Sequence, residues 1–404
     1  MKCSISAPNA FRPCTGCALC SAVCPQDAIE MQLSANGFYM PKIDSELCID
    51  CGLCQKVCYS FDAAIDIDAS KAPPLECLSA INRNEAELKM ASSGAVSIEL
   101  MRQCLKQGYL VVGVAYDLKR EVAVTKIAKT EDELLAFRGS KYFQSDTSEA
   151  FKAIVQDKSN QKYAIFGTPC QIYAFAKAAD VMHNRNRYLL IDIFCHGCPS
   201  MLLWKKYLDS VKREMNVSDF DDIRFRSKTH GWHEFCFSFA KSNTVRHTSK
   251  YNDQFYELFF GMDTMNMACY DCVPRSSVEK TDIRIGDFWG WQFDEDTKGV
   301  SAVVLQTERG KGLLESIQEK FNCKPFSFNE IIAAQSYGKT HPCDTDKREK
   351  TIALLAGGLP MNGIIQQYRK MTPIKRRIKQ TAKRVIKHLP TNIYMRLKRV
   401  IHKI

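Results

Sequence analysis

Cys14, Cys17, Cys20 and Cys24 are repeated at Cys48, Cys51, Cys54 and Cys58, each 34 positions further on, as a doubled C-x2-C-x2-C-x3-C run. Three thiolates at this spacing can wrap one corner of a four-iron, four-sulfide cubane, and the fourth must arrive from elsewhere. When two such runs share a fold, the last cysteine of each serves the other cluster. The expected sets are Cys14, Cys17, Cys20 with Cys58, and Cys48, Cys51, Cys54 with Cys24. That exchange would hold two one-electron sites side by side. A structural zinc site also uses paired C-x2-C knuckles, but it would leave half of these eight cysteines unexplained.

Short elements must position the thiols. Pro25 follows the first run, as in bacterial ferredoxins, whereas Tyr59 stands at the matching place in the second. Between the runs, residues 31–43 have mixed apolar and polar character around Asn36-Gly37, a hairpin-turn dipeptide. Each half therefore reads as a loop, a short helix and a strand, and residues 1–70 are expected to form an α+β, ferredoxin-like module with two 4Fe-4S clusters.

The rest of the chain is long enough for two or three domains, with ordinary hydrophobic content at 45% of 404 residues. No run approaches the ~18 apolar residues of a membrane-spanning helix, and no secretory leader pattern is visible, so the expected compartment is the cytoplasm. Nineteen cysteines, an odd number, grouped in C-x2-C pairs, favour metal ligation in a reducing compartment over disulfides. The net charge of +11 is local: residues 364–404 carry 13 Lys or Arg and no acid, and without them the balance is −2. There, Ile374, Ile378, Ala382, Val385 and Leu389 recur at helical spacing, Lys and Arg can fill the other face, and Pro390 ends the segment. Such a helix could lie peripherally on an anionic membrane surface, bind an acidic partner, or dock on its own domain. It lacks interleaved aromatics, so no specific nucleic acid is expected.

Ser70 to Pro74 breaks the chain after the first module. Beyond it the pattern predicts a helix over 95–106, strands over 109–116, 122–127, 163–166 and 188–194, and a helix over 171–179. This alternation implies an α/β core with a mixed, partly parallel sheet, whose ligands gather at strand ends. Residues 71–155 and 156–345 are read as two parts of that core, and 346–404 as a basic helical tail. Cys170, Cys195, Cys198, Cys269 and Cys272 all follow apolar strands or stretches, which suggests a third cluster. Spacing alone would also permit Cys195, Cys198, Cys269 and Cys272. The isolated Cys3, Cys77, Cys104, Cys236, Cys323 and Cys343 read as ordinary thiols.

The succession Ser92-Ser93-Gly94, Gly139-Ser140-Lys141-Tyr142-Phe143-Gln144-Ser145, Gly167-Thr168-Pro169-Cys170-Gln171, Asp192 to Gly197, Cys269-x2-Cys272 and Asp282 to Gly290 resembles the coenzyme F420 hydrogenase/dehydrogenase beta-subunit family. The resemblance implies a flavin, FAD, which composition and spacing do not. It implies Cys170, Cys195, Cys269 and Cys272 as ligands of the third 4Fe-4S cluster, with Cys198 an extra thiol. It puts Ser93, Gly94, Ser140, Lys141, Tyr142, Gln144, Gly167 and Thr168 around the flavin, and offers His196 and Lys141 as catalytic candidates. Ala95 stands where the family often has glycine, a harmless change if the local φ is negative.

A flavin takes two electrons and a cluster one, so the combination reads as an iron-sulfur flavoprotein oxidoreductase. Its partner would be a redox protein or a reduced soluble coenzyme, and its substrate an organic molecule or deazaflavin. The competing reading is a non-catalytic electron-transfer subunit docked on a separate oxidoreductase.

Overall fold

The computed structural model describes residues 10–62, 65, 73–374 and 378. The doubled cysteine runs fold around a two-stranded antiparallel hairpin, β1 (Ile29–Leu33) and β2 (Tyr39–Ile43), whose turn contains Gly37 at φ +75°. That turn is plugged into the next domain. The Ser200 hydroxyl donates to Asn36 O at 2.7 Å and the Met201 amide to Gly37 O at 2.9 Å, at the start of a long helix.

The core is built on one nine-stranded sheet. Its strands in chain order are β3 (Glu76–Asn82), β4 (Tyr109–Asp117), β5 (Val122–Ala128), β6 (Ser145–Asp146), β7 (Lys162–Gly167) and β8 (Tyr188–Ile193). After a separate antiparallel sheet of β9 (Asp222–Ser227), β10 (Cys236–Lys241) and β11 (Thr244–Ser249), the chain adds β12 (Ile283–Asp287), β13 (Ser301–Leu305) and β14 (Phe321–Pro325). The spatial order is β14-β3-β13-β12-β8-β7-β4-β5-β6. The central strands β12, β8, β7 and β4 run parallel, β13, β3 and β14 pair antiparallel with their neighbours, and β5 is antiparallel to β4 and parallel to the edge strand β6. The mixed α/β class expected from the sequence is the one observed, and the segments on either side of residue 155 meet in one sheet through β4 and β7.

Central strands buried on both faces need continuous apolar runs, which β7 and β8 supply with Tyr163 to Phe166 and Tyr188 to Ile191. Helices α1 (Val96–Lys106) and α2 (Pro169–Val181) cover the sheet. The alanines of α2 are buried and let it lie close to the strands. Helix α3 (Met201–Met215) and α4 (Gln254–Gly261) pack with the small sheet into an aromatic core around Trp204, Phe225, Phe237, Phe255 and Tyr256.

Two features depart from the sequence reading. The reading of 346–404 as a basic tail starts too early: α5 (Thr345–Ala356) and α6 (Met361–Met371) bury Ile352, Leu355, Met361, Ile364, Ile365 and Tyr368 in that aromatic core. Lys347 and the Tyr368 hydroxyl meet Asp263 at 2.8 and 2.7 Å, and Arg348 donates to Met265 O at 2.9 Å. Second, Ala95 has φ +62°, so the condition under which alanine would be harmless does not hold. Of the proposed amphipathic helix, Ile374 and Ile378 are described and are 70% and 63% exposed; Ala382, Val385 and Leu389 lie outside the described residues.

Candidate redox site

The last cysteine of each run lies with the first three of the other. Cys14, Cys17, Cys20 and Cys58 line one small void, the inner set, and Cys24, Cys48, Cys51 and Cys54 line another, the outer set. Each run turns through two left-handed residues, Gly16 and Ala18 in the first and Asp50 and Gly52 in the second, before a one-turn helix. Without that turn three thiols could not face one point. In the inner set, burial pushes the Cys14 thiol up to about 11 and Cys17 to about 12, with Cys58 adding to both. These thiols are neutral until metal displaces their protons. In the outer set Cys51 is exposed and the other three are half-buried, and exposed Ile49 lines the same void. Among the described residues, no three His, Cys, Asp or Glu side chains converge tightly enough for a single metal ion.

A third group of thiols forms in the core. Thr168 starts α2 with a reciprocal cap: its amide donates to Gln171 Oε1 at 2.9 Å, while Pro169 takes the first helical position. This fixes Cys170 in the first turn, 3.2 Å from the Thr168 hydroxyl. Cys195 follows β8, and Cys269 and Cys272 sit on the loop after α4. Cys170 lies within electrostatic reach of Cys272 and Cys195, and Cys269 within reach of Cys198, Cys272, Cys195 and Cys170. Burial is the largest cause of the raised pKa at all four. Cys198 lies beside the four, within electrostatic reach of Cys269 and Cys195 and with its amide donating to Cys269 Sγ at 3.4 Å, while its thiol turns to Pro199 O at 3.8 Å.

Two arginines brace this loop. Arg284 on β12 pairs with Asp192 on β8 through Nε at 2.7 Å and Nη2 at 2.5 Å, and donates to Arg275 O and Ser277 O at 2.9 and 2.7 Å. Arg275 donates to Cys269 O at 3.0 Å and Lys339 O at 2.6 Å. His196 is within hydrogen-bond distance of Ser336 Oγ at 3.2 Å through Nδ1, and its Nε2 is buried without a partner. Burial, then His341 and Arg275, lowers its pKa to about 4, so the ring is neutral.

The residues expected around a flavin are not all in one place. The Ser93 hydroxyl donates to Val300 O at 2.7 Å and the Gly94 amide to Ser301 Oγ at 3.0 Å, tying their loop to β13. Lys141 spends its ammonium on Ala136 O, Arg138 O and Gly139 O at 3.1, 3.0 and 3.2 Å. Gln144 serves the junction with the first module: it accepts from Tyr39 N at 2.7 Å and donates to Thr15 O at 3.0 Å. Gly167 and Thr168 belong with Cys170. Ser140 remains, its amide on Ser92 Oγ at 3.2 Å, together with Tyr142. The Tyr142 hydroxyl lies close to Ser140 and Arg226.

Arg226 was not visible as a site residue, because one arginine on a short strand carries no pattern. It pairs with Asp287, lies over Trp289 with its guanidinium 4.9 Å from the ring centroid, and keeps Nε and Nη2 buried without partners. These two donors, beside Ser140 and Tyr142, suit an anionic cofactor group. Arg284, Arg275 and Gln144's bridging role were equally silent in the sequence; Tyr59 alone gave a signal, as the residue standing where the ferredoxin pattern has proline.

Residues 160–327 match the family described as the C terminus of the coenzyme F420 hydrogenase/dehydrogenase beta subunit, and residues 13–61 match the 4Fe-4S dicluster domain. The chain is similar to a subunit of the F(420)H(2) dehydrogenase of Methanosarcina mazei, 21% identical over 319 residues that cover 76% of this chain and 83% of the relative. It is also similar to the beta subunit of coenzyme F420 hydrogenase of Methanococcus voltae, 22% identical over 249 residues, covering 56% and 80%. A chain in the solved F420-reducing NiFe hydrogenase complex from Methanosarcina barkeri aligns at 18% identity with a TM-score of 0.44, covering 74% of this chain and 90% of that one.

Proposed function

We propose that this member of the coenzyme F420 hydrogenase/dehydrogenase beta-subunit family, an iron-sulfur oxidoreductase subunit with a 4Fe-4S dicluster domain, carries a third cluster and a flavin and acts on an organic substrate or deazaflavin coenzyme. The observation that carries the reading is the convergence of Cys170, Cys195, Cys269 and Cys272, brought together from separate parts of the core, within reach of the inner set at Cys17. When bound, clusters would supply one-electron steps and a flavin, FAD, the conversion to electron pairs.

The chain's own residues divide the remaining work. Those four cysteines would ligate the third cluster, while Arg275 and Arg284 hold the Cys269 loop. Ser140, Tyr142 and Arg226 would take the anionic part of the flavin. His196, neutral and with an unpartnered Nε2, offers a proton donor or acceptor beside Cys195. The outer set, with its exposed Cys51, is the natural port for a redox partner protein.

Anaerobic purification with iron, sulfide and flavin analysis tests the reading. It expects about 12 irons, from three cubanes, and one flavin per chain. A screen of reduced deazaflavin, ferredoxin and nicotinamide donors then seeks turnover. The second reading, a non-catalytic electron-transfer subunit, is favoured by the naming of both relatives as subunits. Copurification with a larger partner, without turnover by the isolated chain, would select it. We also read the basic segment after α6 as a contact for an anionic membrane face, supported by exposed Ile374 and Ile378.

A further inference from the structure

Tyr59 occupies an unusual position. It follows Cys58, the remote thiol of the inner set, and opens the 3-10 turn Tyr59–Phe61. Only 2% of it is exposed. Its hydroxyl donates to Pro13 O at 3.2 Å, and its phenol lies within electrostatic reach of Cys272 and Cys170 of the core group and of Cys17 and Cys14 of the inner set. The same turn is bolted to α2, the helix that begins at Pro169 and carries Cys170: Lys177 Nζ reaches Cys58 O at 3.4 Å and Asp62 Oδ1 at 2.5 Å. One rigid helix thus fixes a core thiol at one end and the Cys58–Tyr59 turn further along.

We propose that Tyr59 is a positioning residue that keeps the gap between the inner and core thiol sets dry, and so couples the redox potentials of the two sites. The inference rests on the third cluster proposed above. The step it serves moves one electron from one cluster to the next, oxidising the first and reducing the second by one unit, with no bond made or broken and no proton transferred. In a dry, low-dielectric gap, charge placed on one site opposes charge on the other, and the two potentials are held apart; water would screen that repulsion. A proline at this position would leave the space to water or to another side chain.

The test is a dithionite redox titration of the iron-loaded full chain, followed by electron paramagnetic resonance. Tyr59→Phe keeps the ring and should retain both the wild-type separation of potentials and the magnetic broadening between the two sites. Tyr59→Ala should narrow the separation at full iron content. Should the alanine variant not hold its iron, Tyr59→Gln keeps volume but brings a hydrated amide, and carries the same expectation. About 12 irons with potentials unchanged in the alanine or glutamine variant would overturn the role of Tyr59 alone. A wild-type chain with about eight irons lacks the core cluster and would overturn the reading beneath it as well.

Discussion

The Asp192–Arg284 pair shows how much of the core thiol group depends on residues that carry no thiol. Both side chains are buried, and Arg284 also holds the carbonyls of Arg275 and Ser277 that shape the loop after Cys272. Removing one partner of a buried pair leaves an uncompensated charge, at a cost of about 3–5 kcal/mol. Arg284→Met should therefore destabilise the chain by that amount and lower the iron retained by the core set, measured by anaerobic denaturant unfolding and labile-sulfide content. Asp253 supplies a pH-dependent case outside the thiol site. Its carboxyl caps α4, accepts from the Tyr207 hydroxyl, lies near Arg246, and is raised from 3.8 to about 6, chiefly by burial. The unfolded chain then loses this proton at lower pH than the folded one, so its contribution to stability is full below pH 3.8 and is lost as pH rises to about 6. The shift corresponds to about 3 kcal/mol. Asp253→Asn should flatten this fall: thermal midpoints compared anaerobically between about pH 5 and 7 should drop less in the variant than in the wild type.

At the scale of elements, the start of α1 combines a tight approach with backbone strain. A Cβ on Gly94 would lie 2.2 Å from Ala80 O and 2.7 Å from Ser301 N, so the backbone itself fills the space a side chain would need. Ala95, next in line, adopts φ +62°, where a non-glycine residue costs about 1–2 kcal/mol. Its methyl is buried against the sheet, and its loss would forfeit about 0.8 kcal/mol. The strain outweighs the methyl. Ala95→Gly should raise stability by up to about 1 kcal/mol, read as an upward shift of the denaturant midpoint, while Gly94→Ala should lower it. The helix over 96–106 and the strand that follows it were legible, because period and apolar runs are local signals, whereas β3 before it was not anticipated. The left-handed alanine was not, since φ depends on what the loop must reach. The small sheet β9–β11 escaped for a related reason: β11 is largely exposed and has no apolar run to announce it.

At the scale of the whole molecule, the two cysteine-rich parts form one body because the core reaches across at several places. Gln144 bonds Thr15 and Tyr39, the Thr147 hydroxyl donates to Cys17 O at 2.9 Å, and Lys177 pairs with Asp62. The eight-cysteine pattern anticipated which thiols share each void, yet none of these bridges, which join residues more than a hundred positions apart. The C-terminal region shows a similar limit. Its charge dominates the sequence pattern and hides that Ile364, Ile365 and Tyr368 are core residues. A cut after Gly363 would therefore remove most of the α6 contact with that core, and loss of folding would confuse any binding assay. A cut after Thr372 spares it and deletes residues 373–404, which hold 11 Lys or Arg and no acid. Each cation near an anionic lipid surface contributes about 1 kcal/mol, screened by salt. Exposed Ile374 and Ile378, four residues apart, could add burial in the interface. The full chain should then sediment with vesicles rich in phosphatidylglycerol, bind less as salt is raised, and ignore neutral phosphatidylcholine vesicles. The shortened chain should keep its iron and lose vesicle binding; equal binding by both would remove the membrane contact from this segment.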